Sequence, residues 1–435
     1  MSNNTKNDIE ILEAPYKLPE GWKWVRLGDC AKTISKGTTP KGGKDTYIKN
    51  GINYLRIENL MDNGSIDLSN IAHITKEQHE GFLKRSILEA GDLLISIAGT
   101  LGRVGFVKES DLPMNTNQAI AFVRLYKDLF DNMYLKYAIE SPFVSNELIA
   151  KTKVTSIPNL TLEIISNCLI PLPPTLEEQQ RIVNRIESMF AKLDEAKEKA
   201  QNVVDCFETR KAAILHQAFT DNLTAKWRKE NGVSDDSWEE KSIGNCGSVF
   251  GGGTPSTSHR EYWENGNIPW ITSKDMKFDL IEDSELHVNM NGIENSSAKY
   301  IDKPAVLFVM RSGILRRTFP VCMVKKEFTV NQDLKALVPN DSVILEYLFY
   351  ACKSNERKIL DTCMKSGTTV ESINSDSLFN FMIKVPSLSE QQEIVRILDT
   401  VLEKERTAKS AAEQVLERIE LLKKSILARA FRGEF

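Results

Sequence analysis

The sequence predicts an α+β protein with two tandem globular domains and two long helices, packed as an antiparallel coiled coil with pseudo-two-fold symmetry. Three observations predict this fold class. Motifs recur about 212 residues apart, two long segments carry apolar residues at alternating spacings of four and three, and short alternating apolar runs fill the remainder. The 435 residues therefore correspond to one duplicated unit rather than to three unrelated domains.

The repeat is clearest in the helical segments. Gln179 and Gln180 correspond to Gln391 and Gln392, and residues 211–219 correspond to residues 423–431 at the same offset of 212. Fainter matches lie between them in the same order: Gly28 with Gly244, Thr39-Pro40 with Thr254-Pro255, Leu94 with Leu307, and Asn117-Gln118 with Asn331-Gln332. The drift of the offset from 216 to 212 indicates insertions in the globular parts only.

Two helices are predicted, over residues 175–219 and 388–435. Each begins with an S/T-x-x-E capping box, formed by Thr175 with Glu178 and by Ser387 with Glu390. Their near-zero net charge argues against DNA binding, and their 4–3 spacing predicts a coiled coil, intramolecular or between two chains. The predicted interface residues are Ile182, Ile186, Met189, Leu193, Val203, Phe207, Ile214, Ile394, Leu398, Val401, Val415, Ile419, Leu422 and Ile426.

Short alternating apolar runs predict strands in both globular halves, around residues 51–57, 92–97, 120–125, 267–272, 305–310 and 334–338. Helices are expected near 133–140 and 345–354. No motif of a methyltransferase, nucleotide-binding loop, nuclease or Ser-His-Asp hydrolase is found. The seven cysteines are dispersed without a C-x-x-C pair, which predicts reduced thiols and no zinc site.

Charge is the most informative feature of the globular halves. The net charge of −4 excludes a simple polybasic nucleic-acid binder, yet basic residues cluster at 32–49 and at 303–326, a stretch without acidic residues. Such clusters are either solvated faces or phosphate-facing edges. The candidate DNA-binding residues are Lys36, Thr38, Thr39, Lys41, Lys44, Arg103, Thr254, Ser256, Lys274, Arg311, Arg316 and Arg317.

The pairs Asn117-Gln118 and Asn331-Gln332 have two interpretations. Asparagine and glutamine can read adenine through two hydrogen bonds. Their recurrence in both halves instead favours a structural role, because domains that read different sequences should differ there.

Several segments together resemble the specificity (S) subunit of type I restriction–modification systems. The resemblance covers essentially the whole chain and rests on LPEGWKWVRLGD (18–29), the helix starts EEQQRIV (177–183) and SEQQEIV (389–395), and the end SILARAFRGEF (425–435). It implies two target-recognition domains, at residues 1–174, including an N-terminal leader, and at 220–387. The helices between and after them would form the spacer.

The resemblance also implies partners and a location. The expected partners are double-stranded DNA with a bipartite target, two methyltransferase (M) subunits and restriction (R) subunits. The chain would have no catalytic centre and no cofactor of its own, with S-adenosylmethionine on M and with ATP and magnesium on R. It would act in the cytoplasm in DNA methylation and phage defence.

Two other classes of protein remain as alternatives. A coiled-coil scaffold that organises partners without reading DNA would share the duplicated helices. A stand-alone DNA-modifying enzyme would need catalytic motifs that the sequence lacks.

Overall fold

The structure is a computed structural model that describes residues 16–150, 160–220, 223–234, 237–365 and 370–435. The leader, residues 1–15, lies outside the described residues. The chain divides into two compact units: unit 1 combines Met1–Gln201 with Glu413–Phe435, and unit 2 is Asn202–Ala412. Each unit therefore contains a globular part and segments of the long helices.

Unit 1 is an α+β unit with three small sheets. Its strands are β1 (Lys23–Arg26), β2 (Ala31–Lys36), β3 (Ile52–Leu55), β4 (Ala72–Ile74), β5 (Leu93–Ser96), β6 (Val104–Phe106), β7 (Met114–Thr116), β8 (Ile120–Leu125) and β9 (Leu169–Leu172). Its helices are α1 (Lys76–Glu80), α2 (Asn132–Glu140), α3 (Pro142–Ala150), α4 (Leu162–Ser166) and all but the last turn of α5 (Leu176–Asp205). The sheet orders are β2-β8-β5-β6, β4-β3-β7 and β1-β9.

Unit 2 repeats this plan. Its strands are β10 (Glu239–Ser242), β11 (Gly247–Gly251), β12 (Ile268–Ile271), β13 (Leu280–Ile281), β14 (Leu286–Val288), β15 (Ala305–Val309), β16 (Val321–Val324), β17 (Thr329–Val330), β18 (Leu334–Pro339) and β19 (Met382–Val385). Its helices are α6 (Phe207–Ala218), α7 (Ala225–Asn231), α8 (Met290–Glu294), α9 (Leu345–Ser354), α10 (Glu356–Cys363), α11 (Ser375–Phe379) and the first part of α12 (Leu388–Ala430).

The sheets of the two units have the same strand order, with one strand added in unit 2. The order β11-β18-β15-β16 repeats β2-β8-β5-β6, with β13 added at its edge, and β14-β12-β17 repeats β4-β3-β7. In each three-stranded sheet one neighbour is parallel, β3 with β7 and β12 with β17. All six strands and both short helices predicted from periodicity are present, which confirms the α+β fold class and the internal repeat.

One side chain in each unit shows how the repeat is packed. The buried Tyr134 of α2 donates its hydroxyl to Pro171 O (2.8 Å), and the buried Tyr347 of α9 donates to Lys384 O (2.7 Å). Each tyrosine ring also packs on a phenylalanine near the end of a long helix, Phe431 in unit 1 and Phe219 in unit 2. The last turn of α12 therefore completes the core of unit 1.

The first predicted helix is present as two helices, α5 and α6. The interruption is a single residue, Cys206, and the helical hydrogen bonds continue through it, from Cys206 N–H to Asn202 O (3.1 Å) and from Arg210 N–H to Cys206 O (3.0 Å). Half of each predicted capping box is formed, because the Thr175 and Ser387 hydroxyls accept the backbone N–H three residues ahead. Among the residues described, the Glu178 and Glu390 carboxylates accept from Arg181 and Arg228 rather than from the backbone of the capping residue.

The long helices run antiparallel within each unit. In unit 1, Asp194 pairs with Lys423 (2.5 Å) and Lys197 pairs with Glu420 (2.8 Å). The pairing partner on α12 thus moves three residues towards its N-terminus as the residue on α5 moves three residues towards its C-terminus. In unit 2, the Arg210 guanidinium of α6 pairs with Glu405 of α12 (2.7 Å). The antiparallel coiled coil within one chain is thus confirmed.

The predicted interface is wrong at two positions of α12. Val415 and Leu422 are 41% and 48% exposed, whereas Ala412, Ile419 and Leu427 are buried. The reason is the helical period: a straight helix has 3.6 residues per turn and drifts by about 20° per heptad from a 3.5-residue stripe. The remaining twelve predicted residues are buried or half-buried, and Ile182, Ile186, Ile394 and Leu398 pack into the globular cores.

Candidate nucleic-acid interface

In unit 1, the ends of three strands, β2, β3 and β5, meet at the turn between β7 and β8, residues 117–119. Four backbone hydrogen bonds hold them: Asn117 N–H to Leu55 O (3.1 Å), Ile97 N–H to Ala119 O (2.8 Å), Gly37 N–H to Ile120 O (3.0 Å) and Thr38 N–H to Thr116 O (3.0 Å). The Asn117 side chain closes the turn by accepting from Ala119 N–H (3.2 Å). We call the surface formed by residues 36–46, 56–59, 97–103 and 117–119 the loop face of unit 1.

Unit 2 builds the same arrangement around residues 331–333. The corresponding bonds are Asn331 N–H to Ile271 O (3.0 Å), Met310 N–H to Asp333 O (2.8 Å) and Gly253 N–H to Val330 O (3.0 Å). The Asn331 side chain accepts from Asp333 N–H (3.1 Å), as Asn117 does in unit 1. Residues 251–258, 272–278, 310–317 and 331–333 form the loop face of unit 2.

Glycine is required where the first loop crosses the turn. A Cβ atom on Gly37 would lie 2.1 Å from Asn117 O, and one on Gly252 would lie 2.0 Å from Val330 O. No side chain can be accommodated at that distance from a backbone oxygen. The glycines therefore let the loop lie directly against the turn.

The loop face of unit 1 contains all six predicted residues of that half. Lys36, Lys41 and Lys44 are exposed, and Lys41 lies over the Phe82 ring (5.1 Å to its centroid). Arg85, a residue that the sequence did not single out, donates from Nε to the Thr38 hydroxyl (2.8 Å). Its position could not be read from periodicity, because it lies 47 residues from Thr38 along the chain.

Arg103 differs from the other predicted residues of unit 1. It forms an ion pair with Asp62 (2.6 Å) and donates to Leu60 O (3.0 Å). Its guanidinium is therefore held by neighbours within unit 1, and it supplies less free charge than the lysines.

In unit 2 the predicted residues spread over the whole loop face. Thr254, Ser256 and Lys274 are exposed, and Ser256 shares a hydrogen bond with Ser258 (2.7 Å). Arg311 and Arg317 are exposed on the loop after β15. Because the backbone N–H of Arg311 donates to Asp333 O (3.3 Å), this arginine begins beside the 331–333 turn.

The stretch 303–326 contains no acidic residue, but acidic residues from other parts of the chain contact it. Glu371 pairs with Arg316, and Glu346 pairs with Lys325 (2.7 Å). The Arg316 guanidinium holds the pKa of Glu371 below its ordinary value, so this carboxylate is ionised at neutral pH. The positive charge of the stretch is therefore smaller than the sequence suggests.

Neither a metal-binding cluster nor a membrane-spanning helix is present among the residues described. Within ranges 16–150, 160–220, 223–234, 237–365 and 370–435, no group of three His, Cys, Asp or Glu residues could hold a metal ion. Over the same ranges, no helix is long and apolar enough to cross a membrane.

The comparison with protein families decides what these units are. A family model described as the type I restriction modification DNA specificity domain matches residues 19–204 and, again, residues 235–418. This chain belongs to the type I restriction modification DNA specificity domain family. The resemblance drawn from the duplicated helix starts is thereby confirmed, and each matched region takes in one globular part and most of a long helix.

Curated relatives of this DNA specificity family are similar over part or all of the chain. The Escherichia coli EcoR124I/EcoR124II specificity subunit is 42% identical over 161 residues, which span 37% of this chain and 40% of that protein. Matches to two further relatives span 46% and 42% of their lengths. The Salmonella potsdam StySPI specificity subunit is 23% identical over 433 residues, 96% of this chain and 90% of that protein.

Two solved structures have the same fold as this chain. A chain from work on complex assembly and conformational transition of the type I R-M system superposes with a TM-score of 0.73 at 23% identity, covering 97% of this chain and all of that one. The HsdS subunit from Thermoanaerobacter tengcongensis gives 0.66 at 22% identity, over 98% of this chain and all of the subunit.

Proposed function

We propose that this chain is the DNA-specificity subunit of a type I restriction–modification complex. Each globular part, residues 1–174 and 220–387, would bind one half of a bipartite DNA target. The helices over 175–219 and 388–435 would set the distance between the half-sites and bind methyltransferase subunits. The observation that carries the proposal is the duplicated loop face, where equivalent backbone hydrogen bonds bring together loops that carry cationic and hydrogen-bonding side chains in both DNA specificity domains.

The chemistry of the complex would reside on the partner subunits. We infer two M subunits that hold S-adenosylmethionine and R subunits that use ATP and magnesium, with no cofactor on this chain. The chain would act in the cytoplasm, hold the duplex and present the target base to the partner's pocket. Within this proposal Lys36, Lys41, Lys44, Arg311, Arg316 and Arg317 contact phosphates, and Thr38, Thr39, Thr254, Ser256, Lys274 and Arg103 contact bases or position those that do.

The function is tested by mapping methylated adenines in cells that contain the partner M gene, with and without this chain. We expect a bipartite motif that is methylated only when the chain is present. A methylation pattern that does not depend on the chain would contradict the proposal. It would favour a scaffold that organises partners without reading DNA.

The phosphate contacts are tested by replacing both Arg316 and Arg317 with alanine in the M–S complex. Each lost phosphate contact should reduce the slope of log affinity against log salt by about 0.9. The control is Lys226→Ala on the exposed surface of α7, which removes a cation outside the loop face. An unchanged affinity and salt slope for the double variant would overturn this assignment.

A further inference from the structure

A threonine–glutamine pair occurs at the same place on both loop faces. The Thr254 hydroxyl donates to Gln332 Oε1 (2.6 Å), and the Thr39 hydroxyl donates to Gln118 Oε1 in the same manner. Both glutamines are exposed. We call these the Thr–Gln pairs.

Neither pair is needed to hold its loop. The backbone bonds at Thr38 and Gly253 already attach the loop to the turn. A buried ring donor adds a second attachment in each unit, because Tyr54 OH donates to Thr38 O (3.0 Å) and Trp270 Nε1–H donates to Gly253 O (2.9 Å). An exposed hydrogen bond adds little stability to a loop anchored in this way.

The pair instead fixes the direction of an amide. With Oε1 turned towards the threonine hydroxyl, the two N–H groups of Nε2 point away from it. Among the residues that the structure describes, none accepts a hydrogen bond from Nε2 of Gln118 or Gln332. Each loop face thus presents two oriented, neutral donors.

The ligand must be common to the two half-sites. The two loops otherwise differ, with Lys41 and Lys44 in unit 1 and Ser256 and Ser258 in unit 2, as expected for domains that read different bases. The phosphodiester is the acceptor that every DNA sequence supplies. Cationic residues lie next to both pairs, Arg85 in unit 1 and Arg311 in unit 2.

We propose that Gln118 and Gln332 each donate from Nε2 to one DNA phosphate in the half-site bound by their unit, and that Thr39 and Thr254 are positioning residues. This inference rests on the proposed function. It assigns the duplicated pairs to placing the duplex on each loop face, independently of the sequence that each unit reads.

The test uses the complete M–S complex with Gln118→Ala, Gln332→Ala or the isosteric Gln118→Glu. Binding is measured to a duplex with the motif found by methylation mapping and to a scrambled duplex. We expect each alanine variant to lose five- to tenfold in affinity for both duplexes, with an unchanged salt slope because a neutral amide releases no counterion. The glutamate variant, which replaces donors by a charge that repels phosphate, should lose more.

The threonines provide a positioning test. Thr39→Val should reduce affinity two- to threefold, and Thr39→Ser, which keeps the hydroxyl, should restore it. Equal binding by wild type and both alanine variants, or a loss confined to one base pair of the motif, would overturn the inference. If wild-type complex binds the two duplexes equally, the proposed function itself fails.

Discussion

Glu178 and Glu390 occupy the same position of the repeat but have opposite environments. Glu178 forms an ion pair with Arg181 one turn ahead on the helix surface. Glu390 is fully buried, where Arg228 (2.7 Å), Trp238 (3.0 Å) and Thr224 donate to it. The motif identified both as capping residues, yet only the fold around α7 makes one of them part of a buried network.

Replacing Glu390 with alanine should therefore cost about 3–5 kcal/mol of unfolding free energy, because the buried Arg228 loses its carboxylate. The matched control is Glu178→Ala, which should cost less than about 1 kcal/mol, as for a surface pair. Urea unfolding followed by fluorescence measures both variants. Similar losses of unfolding free energy for the two variants would contradict a buried ion pair at Glu390 and a surface pair at Glu178.

The partners of charged side chains could not be predicted from the sequence. The basic stretch 303–326 includes two buried strands, β15 and β16, and the carboxylates that pair with its cations, Glu371 and Glu346, lie outside it in the sequence. Arg85 likewise reaches Thr38 through tertiary structure. Such pairs depend on how strands and loops fold together, which local sequence patterns do not contain.

At the scale of the element, strands and helices with clear periodicity were predictable. The predicted runs at β8, β12 and β18 are buried over most of their length, and those at β5 and β15 are buried on both faces of the sheet. Very short strands such as β13 and β17 carry no such signal. Their pairings, including the parallel one of β12 with β17, depend on residues far along the chain.

The drift of the buried stripe on α12 gives a direct test. Leu427→Ala should cost about 2–5 kcal/mol, since Leu427 is 6% exposed within the core of unit 1. Leu422→Ala, a change of the same size at an exposed position, should stay within about 0.5 kcal/mol. Thermal unfolding of the isolated chain distinguishes them. A larger loss of unfolding free energy for Leu422→Ala than for Leu427→Ala would instead support the strict heptad pattern.

Asp279 connects three helices to the sheet edge of unit 2. It lies just before β13 and pairs with Lys211 of α6 (2.9 Å), Arg406 of α12 (3.4 Å) and Lys353 of α9 (3.6 Å). Burial alone raises the pKa of its carboxyl, but these three cations outweigh burial and hold the pKa below its usual value. The carboxylate is therefore ionised in the folded protein at neutral pH.

Asp279→Asn should lower the unfolding free energy by about 2 kcal/mol, because the cations lose their counter-charge. The pKa of an aspartate in the unfolded chain is about 4. Because the pKa of Asp279 is lower in the folded protein, its ionised carboxylate stabilises the fold at every pH above that value, and the contribution is lost as the pH falls through the folded pKa. The difference from wild type should thus be equal at pH 7.5 and 5.5 in urea titrations. Asp361→Asn, in an exposed pair with Arg357, is the control and should have little effect. A difference in unfolding free energy that is smaller at pH 5.5 than at pH 7.5 would contradict a lowered pKa for Asp279.

For the whole molecule, the net charge of −4 acquires a different meaning. The sequence divides it into nearly neutral helices, a neutral first domain and a second domain at −3. In the structure, exposed cations lie on both loop faces, Lys36, Lys41 and Lys44 in unit 1 and Arg311 and Arg317 in unit 2, together with acids such as Asp45 and Asp275. A near-neutral chain can therefore carry two local surfaces suited to phosphate, which the total charge alone conceals.

If the helices set the distance between half-sites, lengthening both should change the target. Inserting one heptad into α5 and one into the facing part of α12 adds about 10 Å at ~1.5 Å per residue, or about three base pairs. Methylation mapping should then show the same half-sites with a longer spacer. Replacing the exposed Lys404 and Lys424 with alanine keeps the length and should keep the spacer. An unaltered spacer after the insertions would contradict the hypothesis that the helices set the distance between the half-sites.

The contribution of the last turn of α12 to unit 1 also affects the order in which the protein folds during synthesis. Tyr16 donates its hydroxyl to Phe431 O across 415 residues of sequence, and Arg181 donates to Phe435 O. Unit 2 is one continuous segment and can close its core on the ribosome as soon as residue 412 has emerged. Unit 1, although translated first, stays incomplete until its final residues arrive. A truncated translation product therefore lacks a finished first domain.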